Sequence, residues 1–139
     1  MEQGFELFDH TADVGVRVYA PSLAGLVVPA TQGLYGVIGE LAKSANGEPM
    51  VVEIAGRDPA LLLRDYLTEL LVLFESRHRC IADIEVLRFD ESGLSVRGSS
   101  VGIDLDQSVF FREVKAITYH DLEIKRIRGG FEAAFILDI

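Results

Sequence analysis

The chain has 139 residues, of which 49% are hydrophobic, and it carries 22 acidic against 13 basic residues. This length predicts one domain over residues 1–139, with enough apolar side chains for a core that needs no covalent staples. The formal net charge of −9 disfavours tight autonomous binding to nucleic acid, because phosphate backbones attract basic surfaces. An acidic surface suits a cation or a basic partner protein, and taken alone it also serves simply to keep a protein in solution.

The cysteine content and the apolar segments indicate in which cellular compartment the protein is expected. The single cysteine, Cys80, excludes an intramolecular disulfide and fits a reducing cytosol. The sequence begins without a leader pattern, and its most apolar segment, 61–74, is interrupted by Arg64, Asp65 and Glu69. We therefore expect a soluble, cytoplasmic protein with no membrane association.

The N-terminal region predicts two strands followed by a helix. Apolar residues alternate with polar or small ones over 5–8 and 14–19, which is typical of strands. Ser22 is a candidate N-cap for a helix that extends to Ile38. An interior proline distorts a helix, so we expect this one to bend or restart near Pro29.

The middle of the chain predicts a strand and a long helix. Asn46-Gly47 is a turn signal, and a strand pattern follows over 50–55. Asp58-Pro59 combines a capping acid with a proline at the first helical position, which predicts a helix start. Apolar residues then recur at helical spacing, so this helix should run to about Arg79 and pack its wide apolar face on a sheet.

The C-terminal half is rich in strands joined by short connections. Strand patterns over 84–89 and 94–98 flank the hairpin signal at 90–93, and the turn at 128–130 leads into 131–139. We therefore predict an α+β fold with a largely antiparallel β-sheet and two main helices packed on it.

A cluster of ionisable residues lies at the entrance of the second predicted strand, where Asp9, His10 and Asp13 fall within five positions. Asp13 could simply cap backbone amides in a local turn. If the C-terminal strand lies beside it, Asp138 and the terminal carboxylate of Ile139 add two further oxygen donors. Such a set suits Ca²⁺ or Mg²⁺ rather than zinc.

A third segment of interest is 113–120. In a structural interpretation it is a partly buried strand with Ile117 inward and the Lys115 stem lying along the surface. In a functional interpretation Lys115 and His120 contact a phosphate or nucleotide near the metal. The spacing alone favours the structural interpretation.

The segments 10–15 (His-Thr-Ala-Asp-Val-Gly), 61–74, 114–120 (Val-Lys-Ala-Ile-Thr-Tyr-His) and 136–139 (Ile-Leu-Asp-Ile) together resemble the archease family, in order and over essentially the whole chain. The resemblance implies an accessory protein, without catalytic residues, for the RNA-splicing ligase of the RtcB type. Such a protein promotes ligase guanylylation and multiple turnover in tRNA splicing and RNA ligation.

The resemblance also implies a set of site residues. The metal ligands fall on Asp13, Asp138 and Ile139, the last through its terminal carboxylate. The expected cofactor is a divalent cation: Ca²⁺ is the preferred ion, and Mg²⁺ and Mn²⁺ are the alternatives. Four further residues are expected either to support the metal ligands or to contact the partner: Asp9, His10, Lys115 and His120.

The sequence departs from the family pattern at three positions, and two other functions stay open. Ser108 stands where relatives often have a histidine, Phe131 replaces a common tryptophan, and Pro29 interrupts a usually smoother helix. One alternative function is a metal-dependent phosphoesterase with His10 or His120 as general base. The other is a general protein chaperone or interaction module.

Overall fold

The computed structural model describes residues 2–10 and 13–139, with the side chains of His10 and Ala45 left aside. Strands dominate, and a single 3-10 turn, Ala24–Leu26, precedes the first α-helix. The helices are α1 (Val27–Ile38) and α2 (Pro59–Arg77), and the strands are β1 (Gly4–His10), β2 (Asp13–Ala20), β3 (Gly39–Glu40), β4 (Lys43–Ala55), β5 (Arg79–Asp90), β6 (Gly93–Ile103), β7 (Val109–Phe110), β8 (Ala116–Ile117), β9 (Glu123–Ile127) and β10 (Gly130–Asp138).

The strands of the described residues form three antiparallel sheets. In the largest, β2 lies between β1 and β10, and β8 and β9 pair with the other edge of β10. The second sheet has the order β4-β6-β5, and β3 and β7 form a short third one. The α+β class and the antiparallel pairing are confirmed, whereas the division into separate sheets was not predicted.

The long helix starts where the sequence predicts. Asp58 accepts a hydrogen bond from the Ala60 N–H at 3.0 Å, and Pro59 occupies the first turn, where its missing N–H costs nothing. The helix ends at Arg77, two residues earlier than expected, because His78 takes a left-handed conformation (φ 52°). No helix in the described part of the chain is both long enough and apolar enough to span a membrane.

The first helix restarts near Pro29, as expected. The 3-10 turn is held by Ser22, whose hydroxyl accepts from the Gly25 N–H at 3.0 Å. The α-helix then begins at Val27, so Pro29 falls in its first turn, where the backbone N–H has no partner within the helix in any case. The axis therefore needs no interior kink at the proline.

The predicted turn at Asn46-Gly47 is wrong. β4 runs through both residues and pairs with β6 on either side, from Lys43 opposite Ile103 to Ala55 opposite Gly93. The turn signal instead coincides with a shift of register between Lys43 and Gly47. Such an irregularity accommodates Asn46 and Gly47, which a regular strand disfavours. The long pairing of β4 with β6 overrides their preference for a turn.

The two helices and the two larger sheets share one core. α1 packs on β1 and β2, α2 packs on the β4-β6-β5 sheet, and the helices touch each other. Fully buried side chains come from both helices and from β2, β6 and β10: Val16, Val18, Leu34, Leu63, Leu67, Leu94, Val96 and Phe135. The only polar pair at the centre of this group in the described residues joins the Thr31 and Tyr66 hydroxyls at 2.8 Å.

Candidate metal centre

The strand register brings Asp13 and Asp138 to the same end of two neighbouring strands. Val14 of β2 lies opposite Leu137 of β10 in an antiparallel pair. Asp13 precedes Val14 and Asp138 follows Leu137, so continuing the register by one residue sets the two aspartates opposite each other, on one face of the sheet. Residues opposite each other have Cα atoms about 4.5–5.5 Å apart. The pairing of β2 with β10 therefore predicts that the two aspartates are neighbours, as the metal hypothesis requires.

Backbone hydrogen bonds fix the end of β10. The Lys115 N–H donates to the Asp138 carbonyl at 2.7 Å, and the Thr118 N–H donates to the Ile136 carbonyl at 2.9 Å. Ile139 is half-buried and packs against the core. The main chain that carries the Asp138 side chain and the Ile139 carboxyl group is thus held on both sides.

The side chains of the two aspartates fit a hard cation. Both are half-buried, and within the described residues neither carboxylate makes a hydrogen bond or an ion pair. Adjacent carboxylates repel unless a cation or a proton lies between them. No group of three or more His, Cys, Asp or Glu side chains gathers among the described residues. The next oxygen donor along the chain is the carboxyl group of Ile139, which completes an all-oxygen set of the kind Ca²⁺ and Mg²⁺ take.

Asp9 lies on the other face of the sheet. It pairs with Val14 and so shares the face of Val14, whereas Asp13 points to the opposite side. There Asp9 lines a shallow cavity of about 180 Å³ that also includes Arg112. A place beside Arg112 suits a supporting or partner-contacting role rather than direct ligation. The backbone of His10 pairs with Asp13, but its side chain lies outside the description, as do Thr11 and Ala12.

The structural interpretation of the 113–120 segment is confirmed for its central residues. Ile117 is 1% exposed and Lys115 is exposed. The backbone of Lys115 lies directly beside Asp138, so this lysine borders the metal centre. His120 lies on an exposed turn, where its N–H donates to the Thr118 hydroxyl at 3.2 Å and its Nε2 is 3.4 Å from an Asp121 carboxylate oxygen.

The comparisons with known proteins agree with one another. A family model described as the archease protein family (MTH1598/TM1083) matches residues 5–139. The chain belongs to the archease family. It is 34% identical over 138 residues to the protein archease of Methanopyrus kandleri, covering 97% of this chain and 99% of that one. With the protein archease of Pyrococcus abyssi it shares 35% identity over 129 residues, 91% of either chain.

Two solved structures share the archease fold. The solution structure of Methanobacterium thermoautotrophicum protein 1598 is 30% identical, with a TM-score of 0.75 over 98% of this chain and 99% of that one. The crystal structure of a Thermotoga maritima protein described as an archease and possible chaperone has a TM-score of 0.64 over 96% of both chains. At 18% identity the second likeness concerns the fold alone.

Arg64 is a site-supporting residue that the sequence did not reveal. Its Nε donates to the Ile117 carbonyl at 3.0 Å, and its guanidinium lies 4.1 Å from the centroid of the Tyr119 ring. α2 thereby holds the 113–120 segment, which lies beside Asp138. In the sequence Arg64 only interrupts an apolar run. Its ion pair with the neighbouring Asp65 is local, but the Ile117 carbonyl and the Tyr119 ring lie more than 50 residues away, and no local signal connects them to Arg64.

Ser108 has a clear structural role in this protein. Its hydroxyl accepts from the Ala42 N–H at 2.8 Å and donates to the Asp104 carbonyl at 2.7 Å. The Asp104 N–H in turn donates to the Ala42 carbonyl at 2.8 Å. These bonds fix the loop that precedes β7 against the strand connection at Ala42.

Beyond this loop lies a second surface that sequence reasoning missed, which we call the apolar groove. Its cavity measures about 640 Å³ and begins close to the C-terminal end of α2. Three successive large apolar residues at 109–111, without strand alternation, were the available signal. The lining residues are Ile38, Phe74, Glu75, His78, Leu105, Phe110, Phe111, Arg112, Glu113 and Val114.

Proposed function

We propose that this protein is a metal-binding accessory protein of an RNA-splicing ligase of the RtcB type. In this role it promotes guanylylation and multiple turnover of the ligase in tRNA splicing and RNA ligation. Membership of the archease family supports the proposal. The single observation that carries the metal-dependent part is the β2–β10 register, which sets Asp13 beside Asp138.

In this proposal Asp13, Asp138 and the carboxyl group of Ile139 hold the cation, with Ca²⁺ first and Mg²⁺ or Mn²⁺ as alternatives. A bound divalent cation supplies positive charge that polarises phosphate oxygens. The sheet holds the two aspartates at a fixed separation, so the chain spends little conformational freedom on binding. Lys115, exposed beside Asp138, offers a second positive charge to a phosphate.

The accessibility of the site favours action on another protein. Lys115 and His120 are exposed, and Asp13 and Asp138 are only half-buried at the end of a sheet. A surface of this kind is open to the active site of a partner. Asp9, with Arg112 beside it, and His10 are the further candidates for partner contact. The free, buried thiol of Cys80 supports a cytoplasmic location.

A reconstituted ligation assay tests the proposal. Ligase is used in catalytic amount with an excess of RNA ends, one bearing a 2′,3′-cyclic phosphate or 3′-phosphate and the other a 5′-hydroxyl. Addition of the wild-type protein should convert a single turnover into many, and Asp13→Asn or Asp138→Asn should abolish this effect. Asp106→Asn, an exposed aspartate outside the metal centre, is the matched control.

Two different negative results separate the parts of the proposal. If the wild-type protein leaves ligase turnover unchanged, the accessory function is wrong. If Asp13→Asn stimulates as well as wild type, the metal centre has no part in the function. Release of phosphate or cleavage of phosphoesters by the protein and metal without ligase would instead support the phosphoesterase alternative.

A general chaperone is the second candidate, and the apolar groove favours it, since exposed apolar surface binds unfolded chains. The Thermotoga maritima relative is described as a possible chaperone. The discriminating measurement is light scattering from unrelated aggregating clients. Suppression of their aggregation at stoichiometric amounts, without any effect on ligation, would favour this candidate over the ligase.

A further inference from the structure

We propose that the apolar groove is the surface by which the protein docks on the ligase, and that its occupant is a segment of large apolar side chains flanked by lysine or arginine. The identity of the partner in this inference rests on the proposed function. The groove itself is separate from the metal centre and would contribute affinity rather than chemistry.

The first argument is the exposure of large apolar side chains. Leu105 is 44% exposed, Phe110 46% and Phe111 53%, and all three line the same cavity. Because each is about half exposed, each forgoes a large part of the free energy that full burial of its apolar surface would supply. Isolated exposed residues are ordinary, but a cluster around a concave surface marks an interaction site.

The second argument is that the backbone of the groove is already ordered. The Phe111 N–H donates to the Ile38 carbonyl at 2.8 Å, and Phe110 pairs with Gly39 in the β3–β7 sheet. The Phe110 ring lies 6.2 Å from the Phe74 ring of α2, tilted by 54°. A surface held in this way loses little conformational entropy when a partner binds.

The third argument is charge complementarity, which selects the occupant. Glu75 and Glu113 line the groove, and Asp104 and Asp106 lie exposed in the loop before it. Against these four carboxylates Arg112 sets one positive charge, which it keeps while its guanidinium donates to the Val37 carbonyl at 3.4 Å, so the region is acidic on balance. An acidic rim around an apolar floor favours a partner segment that is apolar at its centre and basic at its edges.

The same charges disfavour a second copy of this chain as the occupant. The protein carries a formal net charge of −9, and two acidic rims brought together would repel. A partner protein with a basic surface gains from this field instead. An RNA ligase must bind a phosphate backbone, which itself calls for basic surface.

The fourth argument is the position of the groove next to the metal centre. Glu113 lines the groove, and two residues later Lys115 donates its N–H to the Asp138 carbonyl. Two peptide steps span at most about 7.6 Å between Cα atoms. Arg112 lines both the groove and the shallow cavity beside Val14. A segment seated in the groove would thus bring the metal centre to the same region of the partner.

Binding of the purified ligase to the full-length protein, measured by biolayer interferometry, tests the inference. Phe111→Ser should raise the Kd at least ten-fold, as removal of a central aromatic anchor does. Glu113→Lys, at an exposed position, should also raise it and should weaken the salt dependence of binding. The matched controls on the β4-β6-β5 sheet are Val51→Ser, where the valine is 55% exposed, and Glu48→Lys, and both should leave the Kd within two-fold.

The outcomes distinguish the groove from the proposed function. If wild type binds and stimulates the ligase and both Phe111→Ser and Glu113→Lys bind as wild type does, the groove is not the docking surface and the proposed function stands. If wild type neither binds nor stimulates, both fail together. If sedimentation shows a wild-type dimer that Phe111→Ser converts to monomer, the occupant is a second copy and the inference is wrong. Glu113→Lys keeps the test decisive if Phe111→Ser lowers the thermal stability.

Discussion

Val14 in β2 and Leu137 in β10 lie directly opposite each other, and both are buried, at 7% and 0% exposure. A slip of one residue between these strands would move the buried side chains of one strand to the wrong face. The hydrophobic core therefore fixes the register, and the register in turn fixes the placement of Asp13 against Asp138. The placement of the two aspartates in the candidate metal centre thus follows from the core packing of the adjacent residues, Val14 and Leu137.

The first prediction concerns metal affinity. Asp13→Asn and Asp138→Asn each replace one anionic ligand by a neutral amide of the same shape. We expect each to weaken Ca²⁺ binding at least ten-fold, which is about 1.4 kcal/mol, as measured by isothermal titration calorimetry. Because the two neighbouring carboxylates repel each other in the metal-free protein, neither substitution should lower its unfolding temperature, and each should raise it by relieving the repulsion.

Asp106→Asn is the matched control for this measurement, since it removes one exposed negative charge elsewhere. Its Ca²⁺ affinity should equal that of wild type. Equal affinities in all three variants would show that the bound ion lies somewhere else. A C-terminal extension after Ile139 tests the third donor, and we expect it to weaken binding to a similar extent.

The secondary structure that could be predicted is the part that local chemistry determines. Asp58 and Pro59 specify the start of α2 by capping, and the structure confirms both roles. The end of that helix at Arg77 could not be foreseen, because His78 adopts a left-handed conformation that non-glycine residues rarely take. The turn predicted at Asn46-Gly47 is wrong because of a non-local interaction: the pairing of β4 with β6, which is distant in sequence, overrides a strong local turn signal.

The candidate site divides in the same way. Asp13 and Asp138 could be selected from the sequence, since their oxygen chemistry is visible in the residue types. Their adjacency depends on β10 pairing with β2 across more than 100 residues, which no local pattern encodes. The support from Arg64 and the exposed rings of Phe110 and Phe111 likewise arise only from tertiary contacts.

The second prediction concerns Arg64 as the support of the segment beside Asp138. Arg64→Gln removes the bond from the guanidinium to the Ile117 carbonyl, the stacking on Tyr119 and the ion pair with Asp65. A hydrogen bond from a charged group contributes about 1.5–3 kcal/mol, and the Arg64 side chain is only 17% exposed. We expect the free energy of unfolding to fall by about 1–2 kcal/mol and the Thr118 amide to exchange faster with solvent.

Two further variants separate the support from a general charge effect. Arg64→Lys retains the charge but loses the planar fork, so its amide exchange should lie between wild type and Arg64→Gln. Arg97→Gln breaks an ion pair with Glu85 whose side chains are more than half exposed, and its effect should stay below about 1 kcal/mol. If the Thr118 amide hydrogen exchanges at the same rate in Arg64→Gln as in wild type, Arg64 does not support the segment beside Asp138.

The third prediction is a loss of stability at alkaline pH that depends on Tyr66. Burial raises the pKa of the Tyr66 hydroxyl well above its ordinary value of about 10, and the Thr31 hydroxyl beside it opposes this in part. Above pH 10 the unfolded chain releases the phenolic proton while the folded chain keeps it. The free energy of unfolding should therefore be unaffected by this group below pH 10 and fall by up to about 1.4 kcal/mol per pH unit above it.

Urea unfolding at pH 8, 10 and 11 measures this effect. Tyr66→Phe should reduce the alkaline decrease but not abolish it, because burial also raises the pKa of the Tyr35 hydroxyl. At pH 8 the substitution should cost about 0.5–1.5 kcal/mol, because Thr31 keeps its bond to the Val27 carbonyl at 2.8 Å. Tyr119→Phe, which removes a hydroxyl from a residue that is 63% exposed, should follow the wild-type pH profile. A Tyr66→Phe profile parallel to wild type between pH 10 and 11 would contradict the argument.

The fourth prediction concerns the contact between α1 and β2, the strand that carries Asp13. Gly33 lies in the interior of α1, and a Cβ there would be 2.6 Å from the Cγ1 atom of Val16, which is fully buried in β2. Alanine is favoured over glycine in a helix by about 1 kcal/mol, but overpacking a core contact costs about 1–3 kcal/mol. Because Val16 has no room to move, Gly33→Ala should destabilise the protein by about 1 kcal/mol or more in chemical denaturation.

Gly36 provides the matched comparison one turn later in the same helix. A Cβ at Gly36 would lie 3.8 Å from the nearest atom, the Cζ of Phe5, which is ordinary van der Waals contact. Gly36→Ala should therefore show the helix preference without the clash and stabilise the protein by up to about 1 kcal/mol. The sign should reverse between the two glycines, because helix propensity favours alanine at both positions and only at Gly33 does a neighbouring atom, in β2, lie closer than van der Waals contact. Stabilisation by both would mean that α1 can shift away from Val16 at little cost.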